Sequence, residues 1–337
     1  MQPEGLPSGK RPAARHPAPA MGEKAINIRP FAWHDLLTLY RFRHRVLCTE
    51  SARFLTRGSP LGPLAMLTHL DPTRGIYTGV CPARSGETAL IGQVVYTPGE
   101  RSARISFLLP ADDLDHPSLS SLLEALAEMA GSWGAFNLLA EVEEHHPALD
   151  AIRQSGFSVY AWQTIWQVVP PAQANTESWQ PASPADEIAI RSLYQLLVPP
   201  LVQSAEPFPA NGVSRLVYRQ AGDMLAYAEV AAGSQGIYLQ PVIHPAVENA
   251  DEILAGLLAR QPGPAQRPIY VAARSYQAWL ESSLHRLGGL VTPRHALLVK
   301  HLAVAQRVNL LARQPAREIY TTEVAVPLVQ HSTIHDN

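Results

Sequence analysis

Two glutamates lie in strand-like segments that are otherwise apolar, where a carboxylate could accept a proton from a substrate. Glu229 lies in the sequence LAYAEVAAG, and Glu141 lies in FNLLAEVEE. A carboxylate is costly to bury unless it is paired or protonated. We therefore predict Glu141 and Glu229 as candidate general bases. The alternative for Glu229 is an exposed acid or one on an edge strand, and the alternative for Glu141 is a solvated loop.

Further acids and two histidines follow Glu141, in the sequence EVEEHHP. A cluster of histidines and carboxylates could bind a divalent metal or act as a base. Adjacent residues of a strand point to opposite faces, however, so His145 and His146 cannot readily bind one ion together. We expect no metal site here and interpret the cluster as a solvated loop.

Composition excludes several other classes of chemistry. The 337 residues include 46% hydrophobic residues, enough for real cores, and a formal net charge of -2 provides no basic field for nucleic acid. Cys48 and Cys81 lack a CxxC spacing, and no G-x-S-x-G, H-E-x-x-H or P-loop sequence occurs. No apolar run is long enough to span a membrane. We expect a cytoplasmic protein with reduced thiols and without nucleic-acid or membrane partners.

The N-terminal stretch is rich in Pro, Ala and Arg and has no apolar core of the kind found in signal peptides. We expect it to be disordered. Met21 is predicted to be the natural start, because MGEKAINIRPF leads directly into the first strand-like residues.

The elements that would position these side chains follow the order β-α-β-β-β-α-β-α-β, with the first helix predicted over residues 34–48. A Pro-, Ala- and Ser-rich stretch then has the composition of a linker, and the same order returns in a shorter form. The predicted divisions are a disordered segment at 1–24, a first domain at 25–169, a linker at 170–186, a second domain at 187–308 and a C-terminal extension at 309–337.

Three anchors occur in the same order and at nearly the same offset in both halves. Gly156 in QSGFSVY matches Gly288 in LGGLVTP, and the proline of FLLP matches that of VIHP. In each half a Leu-Leu pair follows the proline, at Leu122 and then at Leu257. These matches favour a duplicated domain.

This arrangement resembles the GNAT superfamily of acyl-CoA-dependent N-acyltransferases. The resemblance is carried by IGQVVYT, ARISFLLP, SLLEALAEMAGSWGA and AIRQSGF in the first half, and by LAYAEVAAG, GIYLQPVIHP and EILAGLLARQ in the second. It implies an α/β fold of two tandem GNAT-like units, each a mixed, twisted sheet flanked by helices, with a ligand cleft where central strands splay. It also implies acetyl-CoA or another acyl-CoA as cofactor, with contacts at Leu108, Leu109 and Ser118.

The residues most typical of that family are missing. Its glycine-rich loop lets backbone N–H groups approach a diphosphate closely, and its tyrosine protonates the leaving thiolate. The tyrosine position is held by Ile152 and Leu284, and we interpret Tyr160 and Tyr276 as packing residues with surface hydroxyls. The glycine positions are held by Asp115, Pro117 and Leu119 in the first half and by Ala250, Glu252 and Leu254 in the second.

Two functions remain open on this pattern. If the chain is active, the resemblance implies acyl transfer from acyl-CoA to an amine or peptide acceptor. The alternative is a noncatalytic pseudo-acyltransferase that acts as a scaffold, ligand sensor or partner-binding module. Oligomerisation is compatible with either function, and the sequence does not select between them.

Overall fold

The structure is a computed structural model that describes residues 28–61, 75–83, 88–114, 118–171, 177–208, 213–261 and 267–302. The predicted disordered segment at 1–24, the predicted extension at 309–337, Met21, Asp115 and Pro117 lie outside the described residues.

The strands form one mixed sheet. In chain order they are β1 (Arg29–Pro30), β2 (Leu47–Cys48), β3 (Ile76–Cys81), β4 (Leu90–Val95), β5 (Ser102–Leu109), β6 (Asn137–Glu143), β7 (Ser158–Val168), β8 (Trp179–Pro181), β9 (Ser214–Gln220), β10 (Asp223–Ala232), β11 (Ile237–Ile243), β12 (Ile269–Arg274), β13 (Leu290–Val291) and β14 (His295–His301). We refer to β1 to β7 as the first half and to β8 to β14 as the second half.

Helices cover this sheet and confirm the predicted α/β class. They are α1 (Leu36–Arg41), α2 (Ser51–Arg57), α3 (Ser118–Ser132), α4 (Ala148–Gln154), α5 (Glu187–Leu197), α6 (Pro200–Ala205), α7 (Ala250–Ala259) and α8 (Leu280–Arg286). Within the part of the chain that the structure describes, no helix combines the length and apolar character needed to cross a bilayer.

The prediction of one helix over residues 34–48 is wrong. The helix ends at Arg41, and β2 pairs with β5 further along the chain. Between them Arg45 forms an ion pair with Asp112, and its carbonyl accepts a hydrogen bond from the Ala111 N–H at 2.8 Å. Tertiary pairing with β5 therefore overrides the local helical periodicity.

Both halves contain three antiparallel strands followed by a helix and a parallel strand. In the first half, β3, β4 and β5 are antiparallel and β6 is parallel to β5. In the second half, β9, β10 and β11 are antiparallel and β12 is parallel to β11. Each parallel ladder has only three residue pairs although its strands continue further. The strands separate beyond those pairs, which leaves an opening in each half.

The closing strands are exchanged between the halves. Strand β14 of the second half pairs with β6 of the first half. Strand β7 of the first half pairs with β12 of the second half, and β7 and β14 pair with each other at the centre of the sheet. Each half therefore obtains a neighbour for its parallel strand from the other half.

The sequence anchors lie at equivalent places in the two halves. Leu122 on α3 and Leu257 on α7 are both fully buried against the sheet. Gly156 and Gly288 follow α4 and α8 with φ angles of 89° and 76°. That left-handed conformation favours glycine, which explains why both helices end at this residue type.

Part of the predicted linker belongs to the second half. Strand β8 pairs with β9, and the Trp179 side chain is 1% exposed. Its indole N–H donates to the Ile253 carbonyl at 2.9 Å. Burying this large ring fixes the start of the second half against α7.

Candidate functional site

Residues 47–51, which we call the inserted segment, lie in the opening between β5 and β6. Leu47 and Cys48 pair with β5, and the Thr49 N–H donates to the Ser106 carbonyl at 3.1 Å. On the other side, the Glu141 N–H donates to the Thr49 carbonyl at 3.1 Å. The inserted segment thus uses backbone groups of both separated strands and closes the first opening.

The predicted acyl-CoA contacts lie beside this segment. Leu108 and Leu109 are fully buried; Leu108 pairs with Leu47, and Leu109 pairs with Ile91. Ser118 is the first residue of α3 and is also buried. A ligand that paired with Leu108 on this side would have to displace Leu47. The role of these three positions in cofactor binding stays a prediction.

Side-chain bridges occupy the corresponding region of the second half. The Arg274 Nη2 group donates to Gln240 Oε1 at 3.1 Å, across the gap between β12 and β11. The Gln277 side-chain N–H group donates to the Ile243 carbonyl at 2.8 Å, although β11 no longer pairs with β12 there. Side chains of Arg274 and Gln277 therefore form hydrogen bonds with groups of β11 in the second opening.

Acids at the predicted phosphate-loop regions form internal ion pairs. Asp112 accepts a hydrogen bond from Arg45 Nε at 2.6 Å. Asp251, in the first turn of α7, accepts from Arg286 Nε at 2.6 Å. These carboxylates hold neighbouring elements together at the positions where a diphosphate-binding loop would need free backbone donors.

A pocket of about 430 Å³ lies on one face of the sheet where the halves meet. Both predicted general bases, Glu141 on β6 and Glu229 on β10, line it. Alternation along each strand places every second side chain on this face. The other charged or hydrogen-bonding side chains in its wall are Thr49, Glu50, Glu100, Arg101, Ser102, Arg104, Tyr160, Gln163, Tyr194, Glu206, Tyr227, Tyr238, Gln240, Arg274 and Tyr276.

Glu141 is tied to the inserted segment. Its carboxylate accepts hydrogen bonds from the Ser51 N–H at 3.0 Å, the Ser51 hydroxyl at 2.5 Å and the Gln163 amide at 2.5 Å. These three donors use much of the acceptor capacity of the carboxylate. The arrangement positions residues 47–51 and leaves Glu141 less free to take a proton from a ligand.

Glu229 has a different environment. Its Oε1 lies 3.3 Å from Arg215 Nε, and about a quarter of its side chain is exposed. Burial raises the pKa of Glu229, and the Arg215 guanidinium only partly opposes that effect. A raised carboxyl pKa is the property that general-base chemistry near neutral pH needs.

A buried ion-pair cluster in the pocket wall is absent from the predictions. Glu206 accepts hydrogen bonds from Arg274 Nη2, at 3.2 Å to Oε2, and from the Tyr160 hydroxyl. Burial alone would raise the pKa of Glu206, but the Arg274 and Arg104 guanidiniums outweigh burial and hold that pKa below its ordinary value. Glu206 is therefore a carboxylate held ionised between two cations.

The tyrosine interpretation needs one correction. The Tyr160 side chain is 7% exposed, and its hydroxyl bonds to Glu206, so the prediction of a surface hydroxyl is wrong for this residue. A bulge opposite Leu297 and Leu298 turns Tyr160 toward the pocket. Tyr276 also lines the pocket, and burial raises the pKa of its phenol to about 12, so it remains a neutral donor at physiological pH.

The Glu- and His-rich turn after β6 does not line the pocket. The Glu144 carboxylate lies 3.5 Å from Arg294, and His146 Nδ1 accepts from the Ala148 N–H at 3.1 Å. Burial lowers the pKa of His146, which favours its neutral form. These contacts are those of a structured turn.

One sequence signal could have found part of the missed cluster. Arg104 is a charge inside the otherwise apolar strand SARISFLL, which is the pattern that selects Glu141 and Glu229. Glu206 follows α6 in a Pro-containing loop, and Arg274 ends β12. Nothing local to those two residues indicates that they meet.

No protein-family model and no curated protein matches the chain. Among solved structures, a GCN5-related N-acetyltransferase from Sphaerobacter thermophilus is similar at 14% identity, covering 82% of this chain and 95% of that chain with a TM-score of 0.49. A tandem GNAT protein from the clavulanic acid biosynthesis pathway is similar at 16% identity, covering 83% and 99% with a TM-score of 0.46. A GCN5-related N-acetyltransferase from Kribbella flavida is similar at 14% identity, covering 63% and 86% with a TM-score of 0.42.

Proposed function

We propose that this chain is a noncatalytic ligand-binding protein with a GNAT-like fold, and that it binds a small polar molecule in the pocket where its halves meet. The observation that carries the proposal is the inserted segment between β5 and β6. By the resemblance, an acyl-CoA thioester would lie in that opening. Here Leu47, Cys48 and Thr49 pair with the backbone groups of β5 with which such a ligand would form hydrogen bonds.

The acidic positions before α3 and α7 support the same conclusion. The family's loop binds a diphosphate with backbone N–H groups at a helix N-terminus. Asp112 and Asp251 place carboxylates in those regions, where they form ion pairs with Arg45 and Arg286. A bound diphosphate would meet negative charge, and it would compete for arginines that already have partners.

The pocket itself is suited to hold a ligand. Its volume of about 430 Å³ falls within the roughly 300–1,000 Å³ range of small-molecule sites. Charged groups from both halves line it, among them the ion pair of Glu206 and Arg274. Such groups fix the orientation of a polar ligand once the pocket walls exclude water.

Acyl transfer from acyl-CoA to an amine is a second candidate, and one observation favours it. Both carboxylates predicted as general bases reach the same pocket from different halves. Burial raises the pKa of Glu229, which suits it to accept a proton from an ammonium group. This candidate requires the inserted segment to leave the opening so that a thioester could enter.

Calorimetric titration of the full chain with acetyl-CoA, a long-chain acyl-CoA and free coenzyme A tests the proposal. We expect no binding at millimolar ligand, and no release of free thiol when acetyl-CoA is incubated with a panel of amines. Micromolar binding of acetyl-CoA would contradict the proposal. Thiol release that disappears in Glu229→Gln would establish the second candidate in its place.

A further inference from the structure

Two arginines present unfilled hydrogen-bond donors to the pocket. The Arg274 side chain is only 7% exposed, and its Nε and Nη1 atoms have no hydrogen-bond partner among the described residues. The Arg104 guanidinium also forms no hydrogen bond to any residue that the structure describes, although it lines the pocket and interacts electrostatically with Glu206 and Glu50. Buried donors without partners cost stability, so the Nε and Nη1 atoms of Arg274 indicate a ligand that accepts hydrogen bonds.

An acceptor without a partner lies elsewhere in the same wall. Gln163 is 2% exposed; its amide N–H group donates to Glu141, but its Oε1 atom has no partner among the described residues. Glu50 also lines the pocket; among charged groups its strongest electrostatic interaction is with Arg104, followed by Arg53, and it interacts more weakly with Glu141. Burial raises the pKa of Glu50. A cationic ligand group beside this carboxylate would lower that pKa again.

Charges of both signs line the pocket. On the donor side, Arg104 and Arg274 share the carboxylate of Glu206, and Arg104 also interacts with Glu50. On the acceptor side, Glu141 provides a carboxylate beside Gln163. A ligand with one negative and one positive group would complement both sides, whereas a ligand with one kind of charge would leave the other side unpaired.

Tyrosine side chains also line the pocket, together with Phe208 and aliphatic residues. Aromatic faces attract an ammonium group and also pack against an apolar substituent. The volume of about 430 Å³ lies near the lower end of the usual range for ligand sites and therefore suits a compact molecule. The tyrosine rings that line the pocket belong to Tyr160, Tyr194, Tyr227, Tyr238 and Tyr276.

We infer that the ligand is a compact zwitterion of the amino-acid type. Its carboxylate accepts hydrogen bonds from Arg104 and Arg274, and its ammonium group donates to Gln163 Oε1 and Glu50. This inference rests on the proposed binding function and adds to it the chemical class of the ligand.

The test is calorimetric titration of the full chain with a panel of free L-amino acids. Each amino acid that binds is compared with its N-acetyl derivative, which lacks the ammonium group, and with its amide, which lacks the carboxylate. We expect at least one free amino acid to bind and both of its derivatives to bind about tenfold more weakly or less, since each loses a charge-assisted hydrogen bond.

The variant Arg104→Gln identifies the carboxylate side. We expect it to weaken binding of the free amino acid about tenfold and to leave binding of the amide nearly unchanged. A merely structural role of Arg104 would weaken both ligands alike. Arg104 is suited to this test because its guanidinium has no hydrogen bond to the described residues that its loss would break. Arg153→Gln, on the exposed surface of α4, is the matched control and should bind both ligands like the wild type.

The outcomes separate this inference from the proposed function. Equal or tighter binding of the derivatives, or no binding by any amino acid in the panel, overturns the zwitterion inference. Failure of the proposed function would instead show as micromolar binding of acetyl-CoA to the same full-length protein.

Discussion

Glu206 contacts side chains of both halves. Its carboxylate accepts from Tyr160 on β7 and from Arg274 on β12, and its backbone carbonyl accepts from the Tyr194 hydroxyl at 2.5 Å. Removing one partner of a buried ion pair leaves an uncompensated charge, which costs more than the pair itself contributes. Glu206 therefore contributes to stability as well as to the charge pattern of the pocket.

We expect Glu206→Gln to lower the free energy of unfolding by about 3 kcal/mol, because it leaves the Arg274 and Arg104 guanidiniums without their shared carboxylate. Urea denaturation followed by tryptophan fluorescence measures this change. The matched control is Asp150→Asn, which removes an exposed carboxylate 3.5 Å from Arg153 and should have no measurable effect. Equal stability of the two variants would show that the cluster is not a stabilising one.

The pH dependence of stability follows from the same carboxylate. The two guanidiniums hold the pKa of Glu206 below the ordinary value of 4.5, so its contribution is present above that pH and is lost as the pH falls through the lowered pKa. We expect the difference in unfolding free energy between wild type and Glu206→Gln to be constant near pH 7 and to shrink below about pH 4.5. A difference that grows on acidification would contradict this assignment.

At the scale of elements, the segment from β2 through α2 joins the two halves. Residues 47–51 close the opening between β5 and β6, and α2 then packs on β10 and β11 of the second half. The end of α2 is held closely, because the Thr56 carbonyl accepts from the Gln235 N–H at 2.8 Å. One continuous stretch therefore fills the first opening and contacts the second half.

Gly233 allows that close approach. A Cβ atom at this position would lie 2.2 Å from the Thr56 carbonyl oxygen, so Gly233→Ala must push α2 away from the β10–β11 turn. We expect a loss of about 2 kcal/mol in unfolding free energy and faster amide hydrogen exchange across residues 51–57. Gly131→Ala on α3, where nothing lies within 4 Å, should instead stabilise by up to about 1 kcal/mol. Unchanged exchange in Gly233→Ala would argue against this contact.

At the scale of the whole molecule, the exchange of β7 and β14 makes each half depend on the other. Strand β14 lies between β6 and β7, and β7 lies between β14 and β12. A half without the partner's closing strand would expose a long strand edge and part of its core to water. The sheet is therefore continuous across the predicted boundary between the two domains.

We expect residues 1–176 and 177–337 to be unfolded or aggregated when each is produced alone, and to form one folded complex when they are co-expressed. Circular dichroism and size-exclusion chromatography would measure this. The intact chain is the control for secondary-structure content. Cooperative thermal unfolding of either half alone would contradict the requirement for strand exchange.

The sequence by itself determined the repeated element order, the anchors and the departures from the acyl-CoA loop, since hydrophobic periodicity and glycine positions are local properties. It also selected Glu141 and Glu229, because a charge in an apolar strand is visible in the sequence. Only the tertiary structure decided that residues 47–51 form a strand in the first opening and that Glu206 meets Arg274. Those contacts join residues far apart in the chain, and the free energy of pairing and burial there exceeds the local preferences that a sequence displays.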